Sequence, residues 1–377
     1  MMQDAYRWWD VLDEVAGIHE ERAPSPWDLL ALVARRPGPD RLRTVPDEVD
    51  LGTPLGTGDG TVGLALPFVL TDNSMGQLSP QSRLALLQAA ARTGCMLRLP
   101  DPGPDLLELG QELGVGLWAI VGPHRDSQVV EAMRGAAVVE LQLTSVTPEG
   151  GLARSVDAWD AEGSLAMAVE TVRSVSGGSP LVVNTGPVAD RETLRQAVLS
   201  GADAVMVQSV SRSSKMHRRK VGTDPLAAVA AMVRTVARTK RPDDVPAPKL
   251  VVSGGFKDGL EVVKAIALGA DLVVMGTAPR IALGCTLCGD CGPEECPKVG
   301  HGLRAEGGRP DWKTEAEGLV GYIARLTVDA REALAQMGCA KVTEASPANL
   351  EAYTYDAAAV TGAPLAGYGE TLPMWLH

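Results

Sequence analysis

The chain has 377 residues, a formal net charge of −12, and 45% hydrophobic against 22% charged side chains. These values exclude a disordered or fibrous polymer and suit one large α/β domain with terminal extensions. The acidic balance argues against nucleic acid or an anionic membrane as partner of the whole molecule. No apolar run reaches the roughly 18 residues of a membrane span. The start, MMQDAYRWWDVLDEVAG, carries acids instead of an apolar signal core, so a cytoplasmic protein is expected. Two Phe, five Tyr and seven Trp against 41 Gly leave the core to Ala, Val and Leu.

In chain order, residues 1–60 read as an N-terminal extension. They hold helical patterns around Trp8 to Glu20 and Pro26 to Arg35, then a Pro-, Gly- and Asp-rich stretch. From residue 61 short apolar runs alternate with amphipathic helices. The runs LALPFVL, GLWAIVG, AVVELQL, PLVVNTG, ADAVMVQSV, KLVVSGG and ADLVVMGT are each followed by a helical pattern or by the end of the series. That rhythm means a parallel sheet, and seven or eight units predict a (β/α)8 TIM barrel over residues 61–284. Residues 285–300 form a Gly- and Cys-rich loop. Residues 301–377 hold a long amphipathic helix, Trp312 to Met337, and a tail of short helices and turns.

Two features carry chemistry. Ser253-Gly254-Gly255 and Gly276-Thr277 end the last two strands, where barrel phosphate sites are built from free backbone N–H groups and a helix N-terminus. Flavin phosphate is the natural occupant; the plain alternative is that these glycines only permit tight turns. Four of the six cysteines, Cys285, Cys288, Cys291 and Cys296, lie within twelve residues, with Pro297 next. In a reducing compartment such spacing reads as an iron-sulfur cluster, 3Fe-4S or 4Fe-4S, with tetrahedral zinc as the runner-up. Cys95 and Cys339 stand alone and read as core residues. By position at strand ends, Asp72, Asn73 and His124 are candidate proton-transfer groups.

The run GGFKDGLEVVKAIALGADLVVMGTAPRIALGCTLCGDCGPEECP resembles the FMN-binding barrel of the glutamate synthase large subunit, in its short archaeal-type form. LPFVLTDNSMGQLSPQSRLALLQAA is similar to the first barrel unit of that family, and TGAPLAG to its closing segment. The resemblance spans roughly residues 20–367. It implies that Ser74, Met75 and Gly76 lie against the flavin ring, that Gln142 stands near it, and that Ser253, Gly254, Gly255, Gly276 and Thr277 hold the FMN phosphate. It also implies that Cys285, Cys291 and Cys296 ligate a 3Fe-4S cluster, with Cys288 as the fourth ligand if the cluster is 4Fe-4S.

The sequence departs from the family where substrate is held. TGCMLRLPDPG replaces TGEGG after the first helix, ELQLTSVTPEGG lacks both cations of the EIKIGQGAKPG type of segment, and QSVSRSSKMHRRKVGTD replaces DGGTGA. The last stretch is basic, from Arg212 through Lys215 to Lys220. It reads first as a solvated loop and second as a holder of an anionic substrate or an acidic partner, which makes Lys215 a further catalytic candidate.

The resemblance implies an oligomeric FMN oxidoreductase passing electrons between the cluster and FMN for chemistry at an imine or amine carbon. No glutaminase nucleophile or pyridine-nucleotide motif is recognisable. Ferredoxin or another electron-transfer subunit would then supply electrons, and a partner subunit would supply ammonia or activate substrate. The rivals are a barrel that has lost its chemistry and serves as an assembly or electron-relay scaffold, and a zinc loop on an unrelated FMN barrel such as a hydroxy-acid oxidase.

Overall fold

A computed structural model describes residues 25–34, 44–56, 60–72, 80–100, 102–121, 134–146, 152–154, 165–186, 191–209, 224–242, 245–283 and 312–368. Eight strands form its centre: β1 Phe68–Thr71, β2 Met96–Pro100, β3 Leu117–Val121, β4 Val138–Gln142, β5 Leu181–Asn184, β6 Ala204–Gln208, β7 Lys249–Ser253 and β8 Leu272–Met275. Each pairs in parallel with the next, and β8 returns to β1, closing the barrel. The expected TIM barrel is therefore present.

Alternation along the strands sorts side chains between two cores. Val69, Met96, Trp118, Val138, Val182, Ala204, Met206, Val251, Leu272 and Val274 fill the interior. Leu55 and Leu64, from the antiparallel pair Thr53–Leu55 and Val62–Leu64, join this layer of strand-start residues. They plug the N-terminal end and leave the C-terminal end for a site. The opposite strand faces pack under the helices α1 Pro80–Thr93, α2 Pro104–Glu112, α3 Leu165–Val175, α4 Arg191–Leu199, α5 Pro225–Arg238 and α6 Gly259–Leu268. After β8 come the short α7 Thr277–Ala282, the long α8 Trp312–Gln336 and α9 Tyr355–Thr361.

α8 lies against α1 and α6. Ser82 donates to the buried Glu315 at 3.2 Å, and Arg92 grips Glu317 through two nitrogens at 2.5 and 3.1 Å. The helix expected over Pro26 to Arg35 is instead a single 3₁₀ turn, Pro26–Leu29, followed by the strand Leu30–Leu32. Ser25 and Asp28 close a capping box around the turn, and Leu30–Leu32 finds an antiparallel partner in Leu350–Ala352 of the tail. Trp27, fully buried, stacks on Phe256 at 5.2 Å, so this segment seals the loop after β7 from outside. The pattern around Trp8 to Glu20 lies outside the described residues.

β2, within the stretch TGCMLRLPDPG, is absent from the apolar runs of the sequence because Arg98 and Pro100 interrupt it.

Candidate functional site

Glu140 on β4 is fully buried inside the barrel, where an unpaired carboxylate would be untenable. Four donors answer it: Arg98 Nε and Nη2, each at 2.6 Å, Asn184 Nδ2 at 2.7 Å and Trp118 Nε1 at 2.9 Å. They come from β2, β5 and β3, and together they saturate the lone pairs of the two oxygens. Arg98 Nη1 reaches on to Thr71 Oγ1 at 3.2 Å, and Asn184 Oδ1 accepts the Gly186 N–H at 2.9 Å. The pair thus ties five consecutive strands, β1 to β5, beneath the C-terminal mouth. Arg98 is thereby committed to Glu140.

Asp72 follows β1 and is also fully buried. Its Oδ2 accepts from Arg83 Nε of α1 at 2.8 Å, while its Oδ1 has no hydrogen-bond partner among the described residues. Burial raises its pKa above the ordinary aspartate value, against the pull of Arg83, Arg98 and Arg280. Asp72 is therefore more readily protonated than a surface aspartate, as a group that holds a proton requires.

At the end of β7, Gly254 and Gly255 have φ of 91° and 80°. A Cβ on Gly254 would stand 2.8 Å from the Ser209 carbonyl oxygen, and one on Gly255 3.0 Å from Pro225 Cγ. Both glycines are required by the turn itself. The Gly254 N–H completes the ladder to Val274 O at 3.0 Å. Next to it, Gly276 ends β8 and starts α7 with no side-chain cap. The N–H groups of Thr277 and Ala278 consequently have no intrahelical acceptor, and Pro279 has no N–H to offer.

The start of α6, the helix expected to face an anion, is occupied by the chain's own acids. Asp258 Oδ1 accepts from Glu261 N at 2.8 Å and Glu261 Oε2 from Lys257 N at 2.7 Å. The helix dipole that the sequence assigned to a ligand is met by these carboxylates. Tyr322 of α8 donates to the Lys257 carbonyl at 2.9 Å and fixes the loop further.

The structure thus brings Asp72, Gln142, Ser253, Gly254, Gly255, Gly276 and Thr277 to the C-terminal ends of β1, β4, β7 and β8. Gln142 stands opposite Asn184 in the β4 to β5 register. Asn73, Ser74, Met75, Gly76, His124, Lys215, Cys285, Cys288, Cys291 and Cys296 lie outside the described residues. Among the described residues no cluster of metal-ligating side chains occurs, and none of the helices is long and apolar enough to cross a membrane. Cys95 and Cys339 are buried and form no disulfide among the described residues, and burial pushes the Cys95 thiol up to about 12, as suits an inert core cysteine. Sequence reasoning missed Arg98, Trp118 and Asn184. The signal available was an arginine between Leu97 and Leu99 in a run that otherwise reads as buried.

Among solved structures, mandelate oxidase with (S)-2-phenylpropionate superposes with a TM-score of 0.56 at 18% identity, covering 86% of each chain. That likeness concerns the barrel fold. Among curated proteins, the archaeal glutamate synthase [NADPH] of Methanocaldococcus jannaschii is 27% identical over 64% of this chain and 44% of its own. The glutamate synthase large subunit-like protein of Rhizobium meliloti is 25% identical over 81% and 79%. The chloroplastic ferredoxin-dependent glutamate synthase of Oryza sativa is 36% identical over 25% of this chain and 6% of its own. The chain spans about half the length of the Methanocaldococcus jannaschii relative and of those from Archaeoglobus fulgidus and Dehalococcoides mccartyi. The model of the conserved region in glutamate synthase matches residues 148–340, just over half of the chain, from beyond β4 through the cysteine stretch and α8. By that match, the chain belongs to the glutamate synthase family.

Proposed function

We propose that the chain is an FMN-dependent, glutamate synthase-like oxidoreductase in which an iron-sulfur cluster and FMN exchange electrons for chemistry at an imine or amine carbon. The observation that carries this reading is the pair of strand ends, β7 and β8. They lie side by side, each closes in glycine, and they offer neutral backbone N–H groups of Gly255, Thr277 and Ala278. Such donors fit a phosphate that approaches the backbone closely. Ser253, Gly254, Gly255, Gly276 and Thr277 would hold the FMN phosphate, Ser74, Met75 and Gly76 the ring, with Gln142 beside it.

FMN, when bound, joins one-electron carriers to hydride chemistry. Asp72, held by Arg83 and with Oδ1 unpartnered among the described residues, is the chain's candidate for holding the proton that accompanies that chemistry. Cys285, Cys291 and Cys296, with Cys288, would hold the cluster: soft thiolates at this spacing suit iron. The name of the rice relative supports ferredoxin as electron donor, and ammonia would come from a partner subunit. Because Arg98 is committed to Glu140, a substrate carboxylate would draw its counter-charge from elsewhere, and the basic stretch from Arg212 to Lys220 is the candidate source.

Replacing Cys291 with Ser tests the electron path. In anaerobically prepared protein, iron content should fall by at least half while flavin content stays unchanged, and reduced ferredoxin should no longer bleach the flavin. Unchanged iron in that variant, or zinc in place of iron, would remove the cluster from the account. Iron without flavin in the unmodified chain would favour the electron-relay scaffold.

A further inference from the structure

The turn after β7 is clasped from the neighbouring strand by Ser209, the residue that follows β6. Its N–H donates to the Ser253 carbonyl at 2.7 Å, and its hydroxyl lies 2.8 Å from the carbonyl oxygens of both Ser253 and Gly254. Ser253 already receives the N–H, so the hydroxyl's single proton is the only donor to the Gly254 carbonyl among the described residues.

The peptide bonds are trans, so a carbonyl and the N–H of the next residue point in opposite directions. The first peptide of the turn shows this. The Ser253 carbonyl faces Ser209, and the Gly254 N–H faces away, to Val274 O of β8. In the second peptide the Gly254 carbonyl again faces Ser209, so the Gly255 N–H is turned away from β6 and toward the β8 side, where Gly276 begins α7. Successive carbonyls on one side do not occur in a regular strand, where they alternate. The left-handed φ of Gly254 permits the arrangement and the Ser209 hydroxyl holds it. No described residue accepts the Gly255 N–H.

We propose that Ser209 is a positioning residue for the FMN phosphate, its hydroxyl fixing the Gly254 carbonyl so that the Gly255 N–H is aimed at the anion. This rests on the phosphate site proposed above. Riboflavin separates the two claims, because it offers the same ring without the phosphate.

The full chain, freed of flavin, is titrated with FMN and separately with riboflavin, following the quench of flavin fluorescence. Ser209→Ala should weaken FMN about five- to tenfold, as expected for a lost or misdirected hydrogen bond to an anion, and leave riboflavin unchanged. Ser209→Thr, which keeps the hydroxyl, should retain the preference for FMN. If Ser209→Ala does not fold, Ser209→Cys, a weak donor of similar shape, carries the same prediction. Equal weakening of both flavins, or no change in either, overturns the role of Ser209. A wild-type chain with no preference for FMN over riboflavin overturns the phosphate site itself.

Discussion

Glu140→Ala should destabilise the chain by about 3–5 kcal/mol, the usual consequence of removing one partner of a buried ion pair. The loss is large because the alanine leaves three groups unanswered at once: the Arg98 guanidinium, the Trp118 indole N–H and the Asn184 amide. Each was desolvated to reach the barrel interior and none has water to return to. The ion pair itself is not the source of that figure. Replacing both charges, as Arg98→Met with Glu140→Leu, should cost much less than Glu140→Ala alone, since two apolar side chains leave no buried charge. Urea unfolding of the wild type and the two variants, followed by near-ultraviolet circular dichroism, measures both differences. A double variant as unstable as the single one would mean that the pair contributes net stability.

The second large effect belongs to Gly259, the first residue of α6. A Cβ there would collide with the Leu326 carbonyl oxygen and stand 2.6 Å from Ala330 N and 2.8 Å from Asp329 Cβ, all on α8. These are mostly backbone atoms and cannot swing aside, so Gly259→Ala must push α6 and α8 apart. The expected cost is at the upper end of the roughly 1–3 kcal/mol seen for overpacking. Because Tyr322 of α8 holds the Lys257 carbonyl, the same shift should disturb the loop after β7 and weaken FMN. Gly321→Ala is the control. Gly321 also lies on α8 with nothing near its Cβ position, and there alanine should be neutral or stabilise by up to about 1 kcal/mol. Thermal unfolding of the two variants side by side distinguishes contact from helix propensity.

These two residues show what could and could not be read from the sequence. Seven strands were legible because their runs are largely apolar, β4 among them although Glu140 lies inside it. β2 was not, because Arg98 breaks its run, and an arginine can sit inside a barrel only if the fold brings it a carboxylate. That carboxylate is Glu140, two strands and 42 residues away. No local pattern announces such a pairing. The turn from Pro26 to Leu32 failed for a related reason, since the strand Leu30–Leu32 exists only because a partner more than 300 residues away lies beside it.

The glycines at the ends of β7 and β8 were legible, as strand ends in a barrel are where the backbone must turn sharply. The structure adds a reason independent of any ligand, in the close approach of Ser209 and Pro225 to Gly254 and Gly255. The start of α6 is met by Asp258 and Glu261, plainly visible in the sequence, which cap that helix themselves. The cysteine stretch was conspicuous by composition, and its ligand set rests on spacing and family.

The central claim is that this barrel holds FMN beside an iron-sulfur cluster, and an absorbance spectrum of anaerobically purified protein with flavin and iron quantified tests it most directly. The account predicts a flavin spectrum with about one FMN per chain, over a broad iron-sulfur absorption, with three or four iron atoms per chain as the cluster types require. A colourless protein containing neither flavin nor iron would contradict it.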